Sequence, residues 1–264
     1  MSDKIAFYTK KNIDSWNEAA PRHASINSSL ISTVLNPAFN NLNPDFDALV
    51  DSCNIKNKSV VQVCCNNGLD ILSVKNKGAA RCLGIDGSKE FISQAKELSE
   101  DANQPDMEFL HSNIYDLPDE FKSSFDLVII TVGVFGWMPD IYKFMEVCSS
   151  LLVADGQLLV EEIHPILGMY EEGKPSYIDS SYFNKEPIKD SNGLDYFNKE
   201  KYDAKENYWF HHSLTEILMA AISNNLRLEH IKELSYNVGN FCADLEFVKH
   251  NPPLGINLSW RKIE

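Results

Sequence analysis

Ser59-Val-Val-Gln-Val-Cys-Cys-Asn-Asn-Gly68 is the stretch on which the reading of the whole chain turns. Ser59 to Cys64 is short and nearly all apolar, the pattern of a parallel strand covered on both faces. The polar turn Cys65 to Gly68 then leads into an amphipathic helix, Leu69 to Lys75, closed by Gly78. Outward from it the same grammar repeats. Arg81 to Asp86 reads as a second strand, with Ser88 placed to cap a helix reaching about Leu98. Met107 to His111 and Phe125 to Thr131 read as a third and a fourth strand. Pro139 suits the first position of a helix carrying Tyr142, Met145 and Val147. The turn Ala154-Asp155-Gly156 precedes a fifth strand, Gln157 to Glu162. Strands and helices alternating at this spacing imply right-handed crossovers and a doubly wound α/β sheet.

The flanks read differently. Residues 8 to 35 read as polar helices punctuated by Pro21, and Phe46 to Leu49 suggests another short helix. Residues 1–50 are therefore expected to form an N-terminal helical cap, and residues 51–264 the main domain. Residues 165–210 break the alternation with a segment rich in Tyr, Phe, Asn, Lys and Glu, too aromatic for a linker and expected to be an ordered insert or lid. Ser213-Leu-Thr-Glu216 is a capping box opening an apolar helix. Leu226 to Leu234 and Ile256 to Lys262 are late strands with no helix between them, so the last is expected to run antiparallel.

The chain has 264 residues, with 38 acidic against 24 basic side chains and a formal charge of −14. A surface that negative repels phosphate backbones unless it carries a compact basic patch, and the lysines are scattered, so neither nucleic acid nor an anionic membrane is expected as partner. The six cysteines show no CxxC spacing and no His at finger spacing, so no metal is expected. Adjacent strand residues point to opposite faces, which denies Cys64 and Cys65 a chelate. Leu127 to Phe135, the longest apolar stretch, is too short to cross a bilayer, and the first residues carry no hydrophobic signal core, so a cytoplasmic location is expected.

In an open α/β sheet, ligands bind beyond the carboxyl ends of the strands, near the point where strand order reverses. Four segments would converge there. The turn Cys64 to Gly68 offers backbone amides at a helix start. Asp86 ends strand two, where a carboxylate accepts from ribose hydroxyls. Asn113 and Ile114, after strand three, suit an adenine edge and face. Thr131 to Gly136, after strand four, is a small-residue loop that lets a ligand approach the backbone. Read singly, Asp86 is also an ordinary helix-capping acid and Asn113 an ordinary turn residue. Their shared order points to an adenosine-type ligand.

With these residues the chain resembles the class I S-adenosylmethionine-dependent methyltransferases, over roughly residues 58 to 162 and 213 to 262. Gln62 stands where that family usually has Asp, and Cys64 and Asn66 stand for two glycines of its Gly-x-Gly-x-Gly turn, leaving Gly68. Gly68-Leu-Asp-Ile-Leu-Ser73, Trp16-Asn-Glu-Ala-Ala, Trp137-Met-Pro-Asp140, Glu162-Ile-His-Pro165 and Tyr208-Trp-Phe-His-His-Ser213 are similar to a bacterial subgroup with a domain of the methyltransferase 11 type. The resemblance implies a seven-stranded Rossmann-like sheet, S-adenosylmethionine as cofactor and S-adenosylhomocysteine as product. It places Cys64, Cys65, Asn66 and Gly68 by the methionyl part, Asp86, Gly87 and Ser88 by the ribose, Asn113 and Ile114 by the adenine, and Thr131 and Val132 near the sulfonium. Tyr8, Trp16 and His23 would form a lid. A small-molecule methyl acceptor is expected, with monomer and homodimer both open. His164, just after strand five, is the candidate general base, against a structural His anchoring the insert. Two other readings stay open. One is a non-catalytic S-adenosylmethionine-binding protein. The other is an NAD-dependent dehydrogenase, against which the missing G-x-G-x-x-G and the antiparallel ending weigh.

Overall fold

Val60, Val61 and Val63 are completely buried, as a strand covered on both faces requires. They belong to β1 (Ser59–Val63) in a computed structural model that describes residues 2–27, 31–173, 176–196 and 198–263. Before it come α1 (Asp3–Asn27), α2 (Ile31–Val34) and α3 (Pro44–Ser52). After it follow α4 (Leu69–Asn76), β2 (Arg81–Asp86), α5 (Lys89–Asp101), β3 (Glu108–His111), β4 (Phe125–Ile130), α6 (Ile141–Leu151) and β5 (Leu152–Ile163). The insert holds two short hairpins, β6 (Tyr170–Glu171) with β7 (Tyr177–Ile178) and β8 (Ile188–Asp190) with β9 (Asn207–Trp209). The chain then runs through α7 (Leu214–Ile222), β10 (Leu226–Leu234) and β11 (Gly255–Lys262).

The main sheet has seven strands in the order β10-β11-β5-β4-β1-β2-β3. β1 pairs in parallel with β2 on one side and β4 on the other, so strand order reverses between β1 and β4. β3 pairs in parallel with β2, and β5 with β4. β11 is antiparallel to both β5 and β10, as the missing helix between the two late strands implied. Side-chain alternation divides the core into two layers. Val61, Val63, Val128, Ile130 and Leu158 pack against α6 and α7, with Phe144 and Trp260 fully buried among them. Val60, Leu127, Ile129 and Leu159 pack on the other face against α3 and α4.

Local expectations fail in three places. α1 runs through Pro21 without a break; Ala19, Ala20 and His23 are buried on either side, so packing offsets the ladder bond that Pro21 cannot make. The expected helical stretch over residues 8 to 35 also takes in residues 28–30, outside the described residues. β5 begins at Leu152, because Ala154-Asp155-Gly156 forms an irregularity within the strand and not a turn before it. α6 starts at Ile141, capped by Asp140, whose side chain accepts from Lys143 N; Pro139 lies outside the helix. Among the described residues, no helix is long and apolar enough to cross a membrane.

Candidate functional site

The strand ends at the β1/β4 reversal open into a cavity of about 440 Å³. Its floor is the carboxyl edge of the sheet, its roof is one face of α1, and Tyr196 of the insert closes one side.

The turn after β1 is built from left-handed backbone. Cys64 has φ 56°, Asn66 51° and Gly68 84°, so the alternate positions usually given to glycine keep a glycine-like backbone under other side chains. Asn66 lowers its own cost by accepting from the Asn67 amide at 2.7 Å. Gly68 has to be small: a Cβ there would stand 3.1 Å from the Ala95 Cβ and 3.1 Å from the Phe109 ring. It packs behind the cavity wall, whereas Cys64, Cys65 and Asn66 line the cavity. Burial pushes both thiols well above the usual cysteine range, which keeps them protonated.

Asp86 ends β2 at the same rim. One carboxylate oxygen accepts from Asn66 N and the other from Ser88 N, each at 2.8 Å. These two bonds aim the carboxylate and tie the β1 turn to the start of α5. Burial pushes its pKa up, opposed by the bonds from Ser88 and Asn66. Gly87 and Ser88 also line the cavity. The Ser88 side chain caps α5, as expected, and donates to Asn17 Oδ1 of α1. A Cβ on Gly87 would lie 2.7 Å from Ile13, so the roof rests directly on this backbone.

Asn113 and Ile114 line the cavity from beyond β3. The Asn113 carboxamide accepts from Tyr115 N and donates to Thr9 Oγ1, so it caps the following turn and holds α1 as well. Thr131 and Val132 line it from beyond β4. Thr131 donates to Asp70 at 2.6 Å and accepts from Gln62 Nε2 at 2.7 Å, while Asn41 Nδ2 donates to the other Asp70 oxygen. Asp70, in the first turn of α4, was missed in the sequence, although an acid at that helical position is a readable signal. Burial pushes its pKa up.

The roof was only partly legible. Thr9, Asn12, Ile13, Trp16 and His23 share the face of α1 that lines the cavity, at helical spacing. Tyr8 stands beside that face and packs against Tyr208 and Phe210, with ring centroids 4.8 and 5.1 Å away. It does not line the cavity; its place is taken by Thr9.

His164 also lies outside the cavity, beside a separate hollow of about 40 Å³. Its Nδ1 accepts from Ile166 N, and its Nε2 donates to Glu233 at 3.1 Å. With both nitrogens occupied and burial pushing its pKa down, the ring anchors the start of the insert. No general-base role is carried forward for it. Glu162 neither orients His164 nor faces the cavity. Its carboxylate accepts from the backbone amides of Gly133, Ile163 and Phe135 and so clamps the loop after β4. Burial outweighs these bonds and pushes its pKa up to about 7.

The donor set suits an adenosyl sulfonium compound. Asp86 is preset by two amides, the helix start of α4 adjoins the cavity, and the Gln62 Oε1 in its wall has no partner among the described residues. Among the described residues, no group of three or more His, Cys, Asp or Glu could hold a metal.

Residues 60–156, which include β1 to β4 and most of β5, match the family model of the methyltransferase domain. The chain carries a class I methyltransferase domain. Its relatives agree in kind. Over 118 residues it is 28% identical to a demethylmenaquinone methyltransferase of Oceanobacillus iheyensis, covering 44% of this chain and 49% of that protein. It is 25% identical to a ubiquinone biosynthesis O-methyltransferase of Neisseria meningitidis, covering 45% and 49%. The chain thus spans about half the length of these curated relatives. In fold, the methyltransferase domain resembles an S-adenosylmethionine-dependent methyltransferase from Mesorhizobium loti, with a TM-score of 0.61 at 18% identity, covering 83% of this chain and 96% of that one. It also resembles geranyl diphosphate C-methyltransferase from Streptomyces coelicolor, solved with S-adenosyl-L-homocysteine, with a TM-score of 0.59 at 15% identity, covering 83% and 78%.

Proposed function

We propose that this chain transfers the methyl group of S-adenosylmethionine to a small-molecule acceptor. The observation that carries the reading is the Asp86 carboxylate, fixed by Asn66 N and Ser88 N at the rim of the strand-order reversal and lining a 440 Å³ cavity. When bound, S-adenosylmethionine supplies a sulfonium methyl: the acceptor's lone pair takes the methyl carbon, and the carbon–sulfur pair stays on sulfur. The chain holds and aligns. Asp86 would accept from the ribose hydroxyls, Ile114 would pack on the adenine, and the β1 turn with the opening amides of α4 would receive the methionyl carboxylate. The Gln62–Thr131–Asp70 relay fixes the floor, and Glu162 fixes the β4 loop above it. α1 and Tyr196 exclude water. Alignment of this kind supplies on the order of 7–11 kcal/mol of barrier lowering, without an obligatory acid or base.

The enclosure under α1 and the insert favours a small acceptor over a polymer. The test is incubation with methyl-labelled S-adenosylmethionine and a cell extract separated into small-molecule, RNA and protein fractions. Label is expected in the small-molecule fraction; label confined to RNA or protein would overturn this part of the proposal.

A further inference from the structure

Resting on the reading that the adenosyl group takes the Asp86 end, the cavity has a second end on the β4 side, opposite β3 in the sheet. That end is bounded by three aromatic side chains from three separate elements. Trp16 of α1 and Trp137 after β4 meet edge to face with centroids 5.2 Å apart, and Tyr196 of the insert lies 5.3 Å from Trp16. The Tyr196 hydroxyl is hydrogen-bonded to the Trp137 side chain. These rings do not form a closed core: Trp16 and Trp137 are half-buried, and Tyr196 keeps 36% of its surface open, all three lining the cavity. Trp137 is braced from behind by Trp209, which packs against Gly136 so tightly that a Cβ there would stand 2.1 Å from the indole.

The charges around this end carry one sign. Asp70 and Asp86 line the cavity, and among the described residues no Lys or Arg does. Asp195 precedes Tyr196, and Glu162 is close enough to act on it electrostatically. Arg22, the basic side chain of α1 nearest the insert, is stacked 4.0 Å over the Tyr202 ring and does not line the cavity. A phosphate or carboxylate brought here would lose its hydration with no cation to replace it. A positively charged nitrogen would meet ring faces and unneutralised carboxylates.

We propose that this aromatic end is the acceptor subsite and that it takes an amine with a flat apolar body, rejecting phosphorylated and carboxylated acceptors. The test is quenching of tryptophan fluorescence in the protein saturated with S-adenosylhomocysteine, using benzylamine and benzyltrimethylammonium against benzoate and benzyl phosphate. The two cations are expected to bind at least tenfold more tightly than the two anions. Tyr196→Ala should cut cation affinity by at least fivefold and Tyr196→Phe by less, both with unchanged S-adenosylhomocysteine affinity. Anions binding as tightly as cations, no quenching by any probe, or full cation affinity in Tyr196→Ala would overturn the proposal. Failure of S-adenosylhomocysteine itself to bind, read separately by calorimetry, would instead remove the reading beneath it.

Discussion

At the residue scale, the cofactor turn is kept by backbone geometry and not by composition. A non-glycine residue in the left-handed region costs roughly 1–2 kcal/mol, less for Asn, whose side chain can bond locally. Asn66 at φ 51° makes that local bond to the Asn67 amide. Asn66→Ala should therefore lower the unfolding free energy by about 1–2 kcal/mol, and Asn66→Gly should leave it nearly unchanged, as read from urea midpoints. Equal losses in both variants would show that the side chain, and not the backbone, sets the cost. The need for a permissive residue at Asn66 was readable from the sequence. The left-handed turn at Cys64 was not, because nothing in a cysteine side chain favours it; the surrounding strand and helix impose it. Asp86 was legible for the opposite reason: its position follows from strand length alone.

At the element scale, the roof and the clamp decide the site. The strip Thr9, Asn12, Ile13, Trp16, His23 has helical period and could have been extrapolated from Trp16; Tyr8 was chosen for its chemistry and falls one step off that face. His164 and Glu162 were ambiguous because they adjoin each other after β5, where alternation sends neighbours to different surroundings. The structure gives Glu162 to three backbone amides and His164 to Glu233. Glu162→Gln would turn an amide donor towards amide donors. It should cost about 1–3 kcal/mol in stability and loosen the loop 131–136, visible as faster hydrogen exchange at Gly133 and Phe135. Unchanged exchange at those amides would remove the clamp. The capping box of α7 was fully readable, and both of its bonds are present. Ser213→Ala should lower stability by about 1 kcal/mol, measured as a shift of the urea midpoint; no shift would mean that tertiary packing alone holds that helix end.

At the scale of the whole molecule, the sheet buries acids that its sequence pattern did not expose as unusual. Glu161 is 3% exposed, with one oxygen accepting from Asn43 Nδ2 at 2.8 Å and the other without a partner among the described residues. Burial pushes its pKa up to about 7 from an ordinary value of 4.5. The folded state thus holds this proton more tightly than the unfolded state does. The resulting stabilisation is present below the unfolded value and is lost as pH rises through about 7. His23, His164, His211 and His212, all pushed down by burial, pull the other way, losing stability as pH falls below about 6.5. The Glu161 contribution is isolated by difference. Glu161→Gln should raise Tm at pH 8, by an amount corresponding to at most about 3 kcal/mol, and change it little at pH 5. Equal shifts at both pH values would contradict the assignment.

The seven-stranded order, the parallel core and the antiparallel ending were all legible, because strand alternation and the missing late helix leave few topologies. The insert's contribution was not, since Tyr196 reaches the cavity from a segment without period. What joins these scales is an adenosyl site at the rim where strand order reverses, oriented by one carboxylate. Calorimetric titration of S-adenosylhomocysteine into the wild type and into Asp86→Ala, with NAD as control, tests this most directly. The account predicts binding to the wild type, more than tenfold weaker binding to the variant, and none of NAD; equal affinity in the two proteins, or NAD binding in place of S-adenosylhomocysteine, would contradict it.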